Sequence, residues 1–275
     1  MARKALIIGC GYTGIRVAVR LANRGWSVTA TTRNPERLRA VTDRGINVVK
    51  FEVGSTGIPD ATDSTVLLSI PTQSDGGMAG NSRLHDPTAA IVNQLGDRPS
   101  RVIYLSTTGV YGDVECVDES TPIAPKTERQ NLRAQAERAV INGPWSALVL
   151  RPAAIYGPGR GVHEAMLRGE FKLMGAGENY VSRVHVDDLA NITAAAMESA
   201  VTGAYPVADD SPSTSREIAQ FCADLLGIDL PPSGEVAELS ETRRTNRRVD
   251  GRGIREELGV ELKYPSYREG IPASL

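Results

Sequence analysis

Through its first half the chain alternates short apolar runs with stretches of helical spacing. The apolar runs Lys4–Gly9, Trp26–Thr31, Asn47–Phe51, Thr65–Ile70, Arg101–Ser106 and Ser146–Leu150 are predicted strands. Between several of them, Tyr12–Asn23, Pro35–Asp43, Pro87–Leu95 and Lys126–Ile141 carry the spacing of helices. Strands that are apolar almost throughout, separated by helices, indicate a parallel sheet covered on both faces. The expected fold class is therefore α/β, with a doubly wound parallel sheet. Beyond Pro152 the pattern changes, and residues 156–183 are Gly-rich and irregular, as in a loop-built lobe. A helix over Asp187–Ser199 and a short strand over Ala204–Ala208 follow. Thr214 with Glu217 then reads as a capping box, Ile218, Cys222, Leu225 and Leu226 as a helical stripe, and Gly227 as its stop. On that stripe Cys222 reads as a small core residue rather than a redox group.

Composition narrows the function classes. The 31 Lys+Arg and 33 Asp+Glu of 275 residues leave a formal net charge of −2, which argues against a dedicated nucleic-acid binder. Hydrophobic residues at 41% and charged residues at 23% are the balance of a folded domain rather than a disordered chain. The length fits one large domain or two interlocked small ones. Cys10, Cys116 and Cys222 are too few and too scattered for a disulfide framework or a metal-ligand set. Ala5 to Gly9 is too short for a signal-peptide core, and no later stretch approaches the ~18–20 apolar residues of a membrane span. The expectation is a cytoplasmic protein.

The strongest chemical signal is Gly9-Cys10-Gly11-Tyr12-Thr13-Gly14, a G-x-G-x-x-G that leaves the first strand and enters a helix. In a dinucleotide site the first Gly makes the tight turn, the second admits a pyrophosphate close to the backbone, and the third lets helix pack on strand. The helix N-terminus then offers free N–H groups to the phosphates. The alternative is a Gly-rich turn of another α/β protein. After the second strand comes Thr31-Thr32-Arg33, with Arg37 a turn later and no acid before Glu36. An acid there would bond a ribose 2′-hydroxyl, whereas Arg grips a 2′-phosphate. NADP(H) is thus expected over NAD(H), unless Arg33 and Arg37 are only a solvated face beside Glu36.

Together with this loop, three further segments bring the chain to a family: Leu105-Ser106-Thr107-Thr108-Gly109-Val110-Tyr111-Gly112, Leu150-Arg151-Pro152-Ala153-Ala154-Ile155-Tyr156-Gly157-Pro158-Gly159, and Arg183-Val184-His185-Val186-Asp187-Asp188-Leu189-Ala190. The sequence resembles the extended and atypical short-chain dehydrogenase/reductases, among them the NAD-dependent epimerase/dehydratases. The resemblance implies a seven-stranded Rossmann sheet over residues 1–155, joined by 185–210, and a substrate lobe from 156–184 and 211–275. It also implies cofactor contacts at the glycine loop, Thr32, Arg33, Arg37, Ser69, Pro71, Ser106 and Pro152, and a bond from Thr107 to the reacting oxygen of substrate.

One family feature departs. A Tyr-x-x-x-Lys pair is expected on the helix after the fifth strand, with a Glu four residues later. Aligned through Glu137, Arg129 stands at the Tyr position and Arg133 at the Lys position. Arg does not release a proton near neutrality, so it cannot replace the tyrosine, although Arg133 remains a candidate donor to the nicotinamide ribose. The alternative for Arg129, Arg133 and Glu137 is an outward salt-bridged row. Tyr111 is carried as the candidate proton-exchanging group. Tyr156, His163, His185 and Cys116 are weaker candidates on cleft-forming segments. The expected function is an NADP(H)-dependent oxidoreductase or epimerase acting on a small hydroxy, keto or sugar-nucleotide-like molecule, as a monomer or homodimer. The rival is a non-catalytic NADP(H) sensor. The basic stretch Thr242–Arg248 reads as solvated, or as a contact for acidic substrate groups.

Overall fold

Lys4–Ile8 forms β1, four of its five residues buried, and the chain then turns through the glycines into helix α1 (Gly14–Asn23). In the computed structural model, which describes residues 2–74, 83–234 and 245–275, this β–turn–α unit is followed by β2 (Ser27–Thr32), β3 (Asn47–Lys50) and β4 (Thr65–Leu68). Helix α2 (Thr88–Leu95), β5 (Arg101–Leu105), α3 (Glu128–Ile141), β6 (Ser146–Pro152), α4 (Val186–Glu198) and β7 (Gly203–Val207) complete the main elements. The seven strands lie in one sheet, in the order β7-β6-β5-β4-β1-β2-β3. The pairings of β1 with β2 and β4, β2 with β3, β4 with β5 and β5 with β6 are all parallel. Every residue of β4 and β5 is buried, so these strands read as continuous apolar runs rather than alternating ones.

The predicted elements appear with local shifts. The stretch read as a helix over Pro35–Asp43 is a 3₁₀ turn at Pro35–Leu38 and a single helical turn at Arg39–Thr42. The Asn34 side chain caps that turn, and Gly45 at φ 75° ends the segment before helical propagation sets in. Helix α3 begins behind a capping box of Thr127 and Gln130. The Thr214–Glu217 box opens the helix Ser215–Leu226, which Gly227 ends in the left-handed conformation.

Two compact units form. The first comprises residues 1–110, 125–151 and 190–204, with Leu6, Ile8, Leu68, Tyr104, Val140 and Val149 in its core. The second comprises residues 111–124, 152–189 and 205–275. Its boundary differs from the one read at residue 155, because short strands bind distant segments there. Cys116–Val117 pairs with Arg248–Val249, and Ala154–Tyr156 pairs with Arg183–His185. Cys222 sits in that unit's core with Ile218, Phe171 and Tyr267. Among the described residues, no helix is long and apolar enough to cross a membrane, and no cluster of three metal-ligating side chains occurs.

A buried ion pair fastens α3 to the sheet. Glu137 and Arg151 are 2% and 6% exposed. Arg151 Nε donates to Glu137 Oε1 at 3.1 Å and Nη2 to Oε2 at 2.8 Å. Arg129, on the same helix, is exposed, whereas Arg133 is buried. The outward row of Arg129, Arg133 and Glu137 therefore does not form, because two of its members point into the first unit. Removing one partner of a buried pair strands the other charge, at a cost of about 3–5 kcal/mol. Glu137→Ala is expected to lower the unfolding free energy by that amount, and with it the urea midpoint, while Arg129→Ala changes stability by less than about 0.5 kcal/mol. Equal midpoints for the two variants in urea would contradict the assignment.

Candidate functional site

The glycine loop is built as three different glycine environments. Gly9 has φ 89°, and a Cβ there would lie 2.7 Å from the Ser69 carbonyl oxygen and 2.8 Å from Ile70 Cγ1. Gly14 is packed by Gly9 oxygen at 3.0 Å and Ile7 Cγ2 at 3.3 Å. Gly11 differs, since a Cβ there would meet nothing within 4 Å. Two glycines thus allow close packing and the middle one faces open space, the combination a diphosphate cradle needs. The loop is pinned to β2 by Gly9 N donating to Thr31 Oγ1 (3.2 Å) and Cys10 N to Thr31 O (2.8 Å). Thr13, at the start of α1, makes no side-chain cap, and Ile15 N donates to Gly11 O at 2.9 Å while Arg16 N and Val17 N donate to Thr13 O at 3.0 and 3.1 Å. Arg16 lies 4.5 Å from the Tyr12 ring centre and donates to the Tyr12 carbonyl at 2.8 Å. Burial pushes the Cys10 thiol up to about 12, so this residue serves the loop by its backbone.

Beyond β2, Thr32 is half-buried and accepts from Asn34 N at 3.2 Å, while Arg33 and Arg37 are exposed. Among the described residues neither guanidinium has a hydrogen-bond or ion-pair partner, and Arg37 N donates to Asn34 O at 3.2 Å. Glu36, the acid beside them, faces Arg39 at 3.7 Å instead. At the carboxyl end of β4, Ser69 N bonds Ile8 O at 2.9 Å and Pro71 is exposed. At the end of β5, Ser106 is buried with an unpartnered Oγ, and the half-buried Thr107 accepts from Gly109 N at 3.1 Å. Gly loop, Thr32, Arg33, Ser69, Ser106 and Thr107 thus all belong to the carboxyl edge of the first unit's strands, where α/β sheets take ligands.

Arg133 belongs to this edge in an unexpected way. Its Nη1 donates to Ile70 O (3.0 Å) and Asp86 Oδ2 (3.1 Å), and Nη2 to Leu105 O (2.6 Å). Three of the five guanidinium N–H groups are thereby given to main chain and to Asp86. Sequence reasoning missed Asp86. Its signal was faint, since an Asp before Pro-Thr at a helix start reads as a cap, and Oδ1 indeed accepts from Thr88 N at 3.0 Å.

The other candidates fall in the second unit. Tyr111 is 0% exposed, its hydroxyl directed at the Asp118 carbonyl at 3.5 Å, and Pro152 is buried. The Tyr156 hydroxyl donates to Ser266 O at 3.3 Å, and burial raises its pKa above the usual phenol value. His185 Nδ1 accepts from Asp187 N (3.1 Å), which leaves Nε2 to donate to Ser274 Oγ (3.2 Å), with the ring between Tyr156 and Tyr264. This is a structural histidine. His163 is fully buried with neither ring nitrogen bonded, and burial lowers its pKa. Cys116 is an exposed free thiol. Of the basic stretch, Thr242, Arg243 and Arg244 lie outside the described residues. Arg247 is buried, donating to the carbonyls of Gly112 and Val114, so the solvated reading does not hold at that position. Arg248 stacks 3.5 Å from the Tyr180 ring centre. Asp209 is 2% exposed, with Oδ1 accepting from Ser211 N and Oδ2 unpartnered, and burial pushes its carboxyl up to about 7.

Residues 84–208 match the model of the NAD dependent epimerase/dehydratase family, and residues 5–70 match that of ketopantoate reductase PanE/ApbA. A functionally unknown conserved protein from Silicibacter pomeroyi DSS is 34% identical, covering 99% of this chain and 98% of its own, with a TM-score of 0.82. The 3-diazoavenalumate denitrifying reductase of a Streptomyces sp is 32% identical over 152 residues, 50% of each chain. Human epimerase family protein SDR39U1, solved with NADPH, shares the fold at 19% identity, with a TM-score of 0.74 and coverage of 99% and 98%.

Two outcomes follow from these environments. Gly9→Ala should lower the melting temperature by several degrees through its clash with Ser69, whereas Gly11→Ala should leave it within about 1 °C and weaken only anion binding. Equal melting losses would refute the division of roles. Because the folded carboxyl of Asp209 titrates near 7 and the unfolded one near 3.8, its share of stability is full below about 4 and is lost as pH rises to 7. In denaturant titrations across that window, Asp209→Asn should flatten the fall by up to about 1.4 kcal/mol per pH unit. An unchanged slope would mean that Asp209 does not titrate there.

Proposed function

We propose, from the premise that this chain belongs to the NAD-dependent epimerase/dehydratase family, that it is an NADP(H)-dependent oxidoreductase or epimerase. Its substrate would be a small polar hydroxy or keto compound, or a sugar-nucleotide-like molecule. The observation that carries the reading is the unequal crowding of the three loop glycines, open only at Gly11. When bound, the nicotinamide supplies or accepts hydride. The chain's own contributions in this reading are limited and specific. The diphosphate is taken at the open face of Gly11, beside the positive end of the α1 dipole. The hydroxyl of Thr107 donates to the oxygen on the reacting carbon. The proton is exchanged by water or by a group still to be assigned.

For the choice of dinucleotide, the support is Arg33 and Arg37, exposed and unpaired among the described residues, with Glu36 turned to Arg39. A planar guanidinium matches a 2′-phosphate in two parallel bonds. Among proteins of this fold, human SDR39U1 is solved with NADPH, whereas MoeE5 and WbmG are solved with NAD. A second reading, a non-catalytic NADP(H) sensor, is favoured by the exposed Arg129 and the committed Arg133 at the positions of the family's catalytic pair. Turnover of any carbonyl or sugar-nucleotide substrate with NADPH rules the sensor out.

Arg33→Ala is expected to weaken NADPH by about tenfold to a hundredfold while changing NADH by less than about threefold, since only the former carries the extra phosphate. Fluorescence titration of the reduced nicotinamide measures both. Equal losses would remove the 2′-phosphate role.

A further inference from the structure

The helix position that the family gives to a ribose-holding lysine is occupied here by Arg133, which is 6% exposed and bonded on three sides. Ile70 lies two residues beyond β4 and Leu105 ends β5, so one guanidinium spans the carboxyl ends of neighbouring strands. Asp86 is fixed in turn, with Oδ2 accepting from Thr72 Oγ1 at 3.0 Å and from Arg133 at 3.1 Å, and Oδ1 from Thr88 N. The same two chain segments hold the candidate site. Ser69, next to Ile70, backs Gly9, and Thr107 stands two residues beyond Leu105.

Strand order assigns the two halves of a bound dinucleotide. With phosphates at the β1 loop and Arg33 beyond β2 taking the adenosine ribose, the nicotinamide half must extend toward β4 and β5. We infer that Arg133 and Asp86 form a positioning clamp that fixes the gap between residues 69–72 and 105–107, and thereby sets how tightly the nicotinamide half is held. The inference rests on the proposed dinucleotide function. A planar fork can serve three acceptors in fixed directions, whereas an ammonium is a point charge on a flexible stem. Buried ion pairs are also all-or-none, because losing one partner leaves the other charge uncompensated.

The clamp and a ribose-holding role make opposite demands on two conservative variants, Arg133→Lys and Asp86→Asn. Each is titrated by calorimetry with NADPH, NADH and 2′,5′-ADP, the adenosine half alone (ADP where NADH is the tighter ligand). The clamp predicts that both variants weaken the tighter dinucleotide by about tenfold or more, and leave the adenosine half within about twofold. Retained binding of that half also reports that the variants are folded. Arg133→Lys binding the dinucleotide as well as wild type overturns the clamp, and so does parallel loss of both ligands. Wild-type protein that binds neither NADPH nor NADH overturns the dinucleotide reading and the clamp's purpose together. Wild-type binding with unaltered variants overturns the clamp alone.

Discussion

A close approach of backbone to backbone governs this protein: the β1–α1 turn lies so near the end of β4 that position 9 admits no side chain. Its positive φ and the Ser69 carbonyl impose glycine independently. Everything attributed to the site inherits that contact. The loop sits against β4, β4 pairs with β1 and β5, and the residues after β5 carry Thr107. Only at Gly11 does the turn open, and there the missing side chain leaves room for a ligand rather than for the fold.

Charge burial is the second organising constraint. Among the described residues four charged groups of the first unit are almost wholly enclosed: Arg133, Glu137 and Arg151 each have a partner of opposite charge, and Arg101 donates to neutral oxygens of Ser146 and Ala196. Helix α3 delivers two of them from successive turns. Glu137 reaches Arg151 on β6, and Arg133 reaches Asp86 and the ends of β4 and β5. One helix thus ties three strands through Arg133 and Glu137, while Arg129 on the same helix stays exposed.

Periodicity made the parallel sheet legible, because β4 and β5 are buried throughout and the helical spacing of α1 and α3 falls between strands, α3 behind a capping box at Thr127. The glycine loop was equally readable, since Gly9 and Gly14 each answer a local backbone demand within the G-x-G-x-x-G spacing. What escaped were matters decided across long sequence distances. The Arg133–Asp86 pair joins residues 47 apart, and the short strand at Cys116–Val117 takes its partner from Arg248–Val249. Two-residue strands leave no periodic trace, and an isolated Asp carries no mark of its partner. Arg247 was misread for a similar reason: a basic run suggests solvent, while the carbonyls that draw one of its members inside lie in another segment.

Amide hydrogen exchange with and without NADPH tests the central claim most directly, because it reports on each segment separately. The account predicts slowed exchange in the stretch 10–17, at the glycine loop and the first turns of α1, and after β2 at residues 32–37. The helix Ser215–Leu226 should be unaffected. Saturating NADPH that leaves residues 10–17 unprotected, or that protects only segments away from β1 and β2, would contradict it.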